Sequence, residues 1–487
     1  MYFYSAFAIY SIAVYLSIRM FIFPLIYLSA FLLAIKNLLT QNKQGVFFFL
    51  ILGLPIYTTS LAVTLQLGFP GLVPLMQPFK EILILMTLGV SVWELKRRIR
   101  FQVVDYILLA YFFYSLLYVA LPIGIYGLGD KLIAFKSSTF FTFVYFAGRL
   151  FDPRYIYISK YYHYVLAVFI GATGILFFEI LTDQHFQTLS GYADFNFYFF
   201  NQEPTGNYGL SWTFETSNGL KRFSSFFANP LEYAAATLLT LSVIAGLYTT
   251  ERNEIKLDKL GLFAILATQF AIFFALSRSS LASYFIMIYF YALITKRKLI
   301  LRVIYGSAIA IVIYFTFFMI VLNPDIYEFI YETVMFTNPS SVGHVIAWLE
   351  GIEAMIANPL GMGLGASGRV AASESDTTGG ENQYIVIGVQ MGIISLLLYL
   401  LAHIYFIKTC WRWYPKLKGK EKQVCLSLLL MKIGFIIPLF TSELESSVYI
   451  SYTSWFLSGI FITMIAGEGF AGTTSSKKDA VLSTQGE

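Results

Sequence analysis

Apolar residues along the chain gather in unbroken runs near 20 residues long, separated by short polar connections that hold most of the Lys and Arg. A helix rising 1.5 Å per residue needs about 20 such residues to cross the hydrocarbon core of a bilayer. The runs predict spans at about 3–18, 20–38, 45–67, 71–94, 102–122, 132–151, 162–182, 226–248, 260–276, 279–294, 300–321, 383–406, 424–443 and 446–466. Only Arg19 parts the first from the second, so the expectation is about 12–14 transmembrane helices, all-α and polytopic. A β-barrel is excluded, because its strands would alternate apolar and polar positions. A single transmembrane domain is expected over 1–466, and 467–487 reads as a disordered cytoplasmic tail. The amino terminus lacks a basic stretch and a small-residue cleavage site, and so reads as a retained first span.

Positive charge then orients the spans. Most of the 33 Lys and Arg fall on every second connection: Lys36 and Lys43, Lys96 to Arg100, Arg149 to Lys160, Arg252 to Lys259, Lys296 to Arg302, Lys408 to Lys422, and Lys477-Lys478. The positive-inside rule makes that side cytoplasmic, with both termini on it. The opposite side holds few cations, among them Lys80, Lys131, Lys136, Lys221, Arg222, Arg278 and Arg369. It also receives the two long connections, about 183–225 and 322–382. Within the second, Val342, Val345, Ile346, Leu349, Ile352, Met355 and Ile356 recur at helical spacing from a Ser340/Ser341 cap to a stop at Asn358-Pro359. That amphipathic helix is expected to lie along the outer surface or to roof a cavity.

Composition agrees with a membrane protein and narrows its chemistry. Hydrophobic residues are 57% and charged residues 13%, about half of what soluble domains carry. Both cysteines, Cys410 and Cys425, lie beside the basic segment, so no disulfide framework is implied. There is no HExxH or D-x-D, and the four histidines stand at no ligand spacing. No metal or other cofactor is expected, and no basic groove points to nucleic acid.

The ionisable residues of the outer side are the informative ones. Arg278 sits at the apex of a tight hairpin, in Ser277-Arg278-Ser279; it reads either as a fixed cation among hydroxyls or as an arginine snorkelling to headgroups. Lys221-Arg222 closes the first long loop against the charge bias, and a helix starting at Asn229-Pro230 would aim its dipole at a nearby anion. Lys80-Glu81 lies just inside a span; as i,i+1 neighbours the two are not expected to face each other. With Lys136 and Arg369 these cations suit a phosphate or diphosphate, Arg being the better bidentate ligand. Gly361, Gly363, Gly365 and Gly368 would let backbone approach a ligand. Glu381-Asn382 stands at the mouth of the next span; taken alone, the carboxylate reads as complementing a helix dipole. His344 lies on the amphipathic helix opposite its apolar stripe, where a lone His is ordinarily solvated.

Taken in order, Arg222 before Asn229-Pro230, Ser277-Arg278-Ser279, Asn358-Pro359 to Gly365, and Glu381-Asn382 with Gly392 ten residues on resemble the O-antigen ligase and polymerase family over roughly 200–410. The resemblance implies an enzyme of the bacterial plasma membrane, acting at its outer face on undecaprenyl-diphosphate-linked glycans without metal. It implies that Arg222 and Arg278 bind the diphosphate. Glu381 stands where the ligases carry an activating His, so the resemblance is better to a polysaccharide polymerase, with Glu381 as base and His344 as a further participant. A ligase to another acceptor, or a flippase or exporter of lipid-linked glycan, are the alternatives; a transporter would be expected to show repeated halves, and none is seen. Lys80, Lys136, Lys221, Arg369 and Asn382 are the expected substrate contacts. The bilayer, a flippase and a chain-length regulator are the expected partners.

Overall fold

The computed structural model describes residues 20–40, 44–93, 100–151, 153, 156–216, 218–321, 339–369 and 379–482, the side chains of 315–321, 339–341 and 468–482 excepted. The first candidate span, 3–18, and the basic residues Lys43, Lys96, Arg97, Arg98 and Arg154 lie outside these. Helices occupy all thirteen remaining candidate spans: α1 Ile22–Leu39, α2 Gly45–Gln66, α3 Pro70–Trp93, α4 Val103–Ala120, α5 Leu128–Arg149, α6 Ile158–Thr182, then, after a short loop helix α7 (Tyr192–Phe200), α8 Pro230–Tyr248, α9 Lys259–Phe274, α10 Arg278–Ile294 and α11 Lys298–Val321. After the amphipathic α12 (Pro339–Ala357) come α13 Gln383–Trp413, α14 Gly419–Thr441 and α15 Val448–Leu482. Among the described residues nine helices are long and apolar enough to cross a membrane, and β pairing is limited to two isolated bridges, Glu215–Lys221 and Thr249–Ile255. The protein is an all-α polytopic membrane protein.

α8, α14 and α15 are the inner helices, and small residues let them approach closely. Ala234, Ala235 and Ala236 are fully buried on α8. Where α5 crosses α15, a Cβ at Gly148 would collide with the Phe456 carbonyl and one at Gly459 with the Tyr145 carbonyl. α15 continues as helix past its membrane-length part, Val448–Gly467, to Leu482, and no proline interrupts that stretch.

The basic connections meet at one end of the bundle. Lys422 donates to the Glu251 carbonyl, Lys420 to that of Pro153 and Arg297 to that of Asn253. Nearby, Arg149 and Asp105 form a buried ion pair at 3.2 Å, and Tyr145 donates to the same carboxylate. Cys410 and Cys425 are buried free thiols. The two long connections, the α9–α10 turn and the α14–α15 turn lie at the opposite end.

α13 is broken. Gly392 has φ 76° and ψ 178°, a conformation closed to residues with a Cβ, so the helix ladder stops there and restarts. The loop after α12 repairs the break: Met362 and Gly363 donate to the Val389 and Gln390 carbonyls, and Ile393 donates to that of Pro359. Gln390 spans the same loop, donating to Ser367 and accepting from Gly365. This corrects the expected role of the glycine run. Its backbone approaches a helix, because at membrane depth every freed amide and carbonyl needs a partner.

Candidate functional site

The first long loop positions Arg222 through its own backbone. Arg222 donates its amide to the Phe214 carbonyl, and the next residue, Phe223, donates to the last residue of α9, Phe274. The guanidinium thereby leans over the α9–α10 turn, where Nη2 donates to the Leu276 carbonyl at 3.1 Å. Nε of Arg222 is buried and has no partner. Burial, and then the neighbouring Arg278, pull the Arg222 pKa below its usual value, while Glu381 pushes the other way. Two neighbouring guanidinium groups, one with an orphaned donor, have the chemistry to hold an anion.

Arg278 is the first residue of α10 and is exposed. A cation there opposes the helix dipole. Ser277 caps the helix, its hydroxyl accepting from the Ser280 amide, and Ser279 accepts from Thr441 at 2.9 Å. The serines thus tie the turn to the end of α14.

A second group of charges adjoins the first. Arg369 Nη2 reaches Glu381 at 3.3 Å, and the Arg369 amide donates to Glu443 at 2.6 Å. Desolvation lowers the Arg369 pKa, but Glu381, Glu443 and Tyr192 together hold it above the ordinary value. Glu443 is buried, and that burial lifts its pKa to about 7 against the opposing pull of Arg369. Glu232, in the first turn of α8, interacts with Arg369 from below. Arg222, Arg278, Arg369 and Glu381 are therefore brought together. Glu443, Glu232 and Tyr192 were not anticipated. Glu443 carried the same signal as Glu381, a carboxylate at the mouth of a span, in Ser442-Glu443-Leu444.

The other candidates lie elsewhere or hold structural bonds. Asn382 is the N-cap of α13, its side chain accepting from the Tyr384 and Ile385 amides. Lys221 pairs with Asp183 at 2.6 Å and lies over the Tyr208 ring. Beside it His185 is enclosed by Tyr208, Phe214 and Phe223 with neither ring nitrogen partnered; burial and Lys221 push its pKa to about 4. Lys80 and Lys136 both converge on Glu81, at 3.3 and 3.0 Å. The Lys80–Glu81 contact corrects the expectation that these neighbours would not meet. Lys80 lies in the first turn of the Phe79–Trp93 part of α3, where its long chain folds back to the Gln77 carbonyl and the Tyr57 hydroxyl.

His344 is exposed and stacks obliquely near Trp348 on α12. That helix turns Trp348, Gly351 and Met355 towards α13, with Ala347 against Gly380 and Gly351 against Gly379, just before Glu381. Its apolar stripe, Ile346, Leu349, Ile352 and Ile356, faces outward.

A sequence model of the O-antigen ligase family matches residues 262–400. The matched segment holds Arg278, α12, the glycine run, Glu381-Asn382 and the break at Gly392, and it bears out the family resemblance. Arg222 and Glu443 lie outside it. No curated protein matches the chain.

Proposed function

We propose that this membrane protein is a polysaccharide polymerase that joins undecaprenyl-diphosphate-linked glycan repeat units at the outer face of the bacterial plasma membrane. The observation that carries the reading is that Arg222, with an orphaned buried donor, neighbours both Arg278 and Glu381 at one end of the bundle. The two guanidinium groups hold the donor's diphosphate. A hydroxyl of the acceptor glycan attacks the anomeric carbon of the donor sugar as the bond from that carbon to the diphosphate oxygen breaks. The diphosphate leaves with the electron pair, its charge held by fixed cations, and Glu381 takes the hydroxyl proton. A carboxylate in place of the ligases' His favours a polymerase over a ligase to a foreign acceptor. Both carboxylates and all three arginines gather at one end of the spans, which favours surface chemistry over carriage through the bundle.

Purified protein in nanodiscs, given lipid-linked repeat units alone, should yield a doubled glycan on one lipid and a free lipid diphosphate. Arg222→Ala and Arg278→Ala should abolish both products while leaving insertion intact, and Lys should rescue poorly because the bidentate fork is lost. Undiminished product from Arg278→Ala would overturn the reading. Movement of the intact substrate across a vesicle membrane without bond formation would favour the flippase instead.

A further inference from the structure

Glu443 sits in the α14–α15 turn with no part in the chemistry described above. Its carboxylate accepts the Arg369 amide at 2.6 Å and is 5% exposed. Gly368, at φ 85°, makes room for it, since a Cβ there would stand 3.0 Å from both carboxylate oxygens. The Arg369 guanidinium, a third exposed, extends from this anchored backbone to Glu381. Arg369 thus joins two carboxylates, its amide bonded to the buried Glu443 and its guanidinium to the part-exposed Glu381.

The turn holding Glu443 is itself braced. Glu445, two residues on, faces the other way and accepts from Tyr399, Ser451 and Trp455, while its amide donates to Gln383. Serine and threonine contacts tie its start to the Ser277–Ser279 turn. The charged groups around Glu443 are Arg369 on the glycine loop and Glu381 before α13; Tyr192 and Glu232 act on Arg369 from the first loop and α8. Arg222 and Arg278 lie beyond Glu381.

We propose that Glu443 is a positioning residue that sets, through Arg369, whether Glu381 can act as base. This rests on the glycosyl-transfer reading. When Glu443 is ionised it draws on the Arg369 charge, and Glu381 is correspondingly freer to accept the hydroxyl proton. When Glu443 is protonated, Arg369 loses one of the carboxylates that share it, and more of its charge falls on Glu381. Burial lifts the Glu443 pKa to about 7. Its ionised, permissive form is therefore present above that pH and is lost as pH falls through it.

Turnover of lipid-linked repeat units by the full chain should drop below about pH 7, roughly tenfold per unit for a limb governed by one proton, towards a low plateau. Glu443→Gln mimics the protonated carboxyl. It should show that low activity at every pH, with no limb near 7. A merely structural role would instead lower activity by one factor throughout and leave the limb in place, which would overturn the proposal. A readout without substrate separates this from the catalytic reading. Infrared difference spectra of the protein in nanodiscs should contain a protonated-carboxyl component titrating near pH 7 that is lost in Glu443→Gln and kept in Glu381→Gln, above the contributions of other buried carboxyls such as Glu179 and Glu232, which both variants retain. If Glu443→Gln loses no component relative to wild type the proposal fails, whatever reaction the protein catalyses.

Discussion

Glu179, in the last turn of α6, accepts the Ser225 amide at 2.8 Å and so holds in place a residue only three positions after Arg222. Ser225 has φ 53°, a strained value for a non-glycine, and its hydroxyl donates to the Ala172 carbonyl. The other Glu179 oxygen takes the Phe186 amide at 2.9 Å. One buried carboxylate therefore ties both ends of the first long loop to a span.

Glu179→Ala leaves two buried amides without acceptors, at roughly 1–3 kcal/mol each. The expected result is a lowered melting temperature and loss of diphosphate binding, although Glu179 touches no substrate. Glu179→Gln keeps one acceptor and should fall between wild type and Ala. Unchanged thermal melting of the Ala variant would show that the loop is held by other means.

Glu381→Gln should lose about 10²–10⁴-fold in turnover, the usual worth of a positioned base, while donor binding survives on Arg222 and Arg278. Glu381→His should keep part of the activity, since imidazole fills that role in the ligases. His344→Ala, on the roof helix, should lose less than Glu381→Gln. Single-turnover assays on the three variants decide the matter. A dead His344→Ala beside a normal Glu381→Gln would exchange the two roles.

The Arg149–Asp105 pair is 4% and 0% exposed at its side chains and is joined by Tyr145. Removing one partner strands a buried charge, which costs about 3–5 kcal/mol. Asp105→Ala should reduce the yield of folded protein and its melting temperature, and Asp105→Ala with Arg149→Leu should recover part of the loss. A double variant worse than the single would refute a charge-stranding cause.

Chelation should leave the reaction untouched. Among the described residues no group of three His, Cys, Asp or Glu could hold a metal ion. On the proposed mechanism, fixed guanidinium groups would meet the diphosphate's charge instead. Activity should be the same with EDTA and with added Mg²⁺ or Mn²⁺; loss on chelation restored by either ion would contradict this.

Thirteen spans were legible because a bilayer imposes one length and one composition on each helix. Arg222, Arg278 and Arg369 were legible for the same reason, as cations on the side that normally lacks them. Pairing was not. That Lys80 and Lys136 would converge on Glu81, or Lys221 on Asp183, depends on which helix ends adjoin, and hydropathy says nothing of helix order around a bundle. Glycine carried two meanings that sequence does not separate. The Gly361–Gly368 run reads as a ligand cradle until the break at Gly392 is seen opposite it.

That break has a consequence for how the protein is made. α13 cannot enter the membrane as a finished unit, because around Gly392 the Val389 and Gln390 carbonyls and the Ile393 amide find their partners only in residues 359–363. Unsatisfied in hydrocarbon, such groups cost several kcal/mol each. The span and the glycine run therefore complete one another's backbone hydrogen bonds, and Glu381, two residues before α13 begins, stands directly ahead of the half-helix that this joint holds.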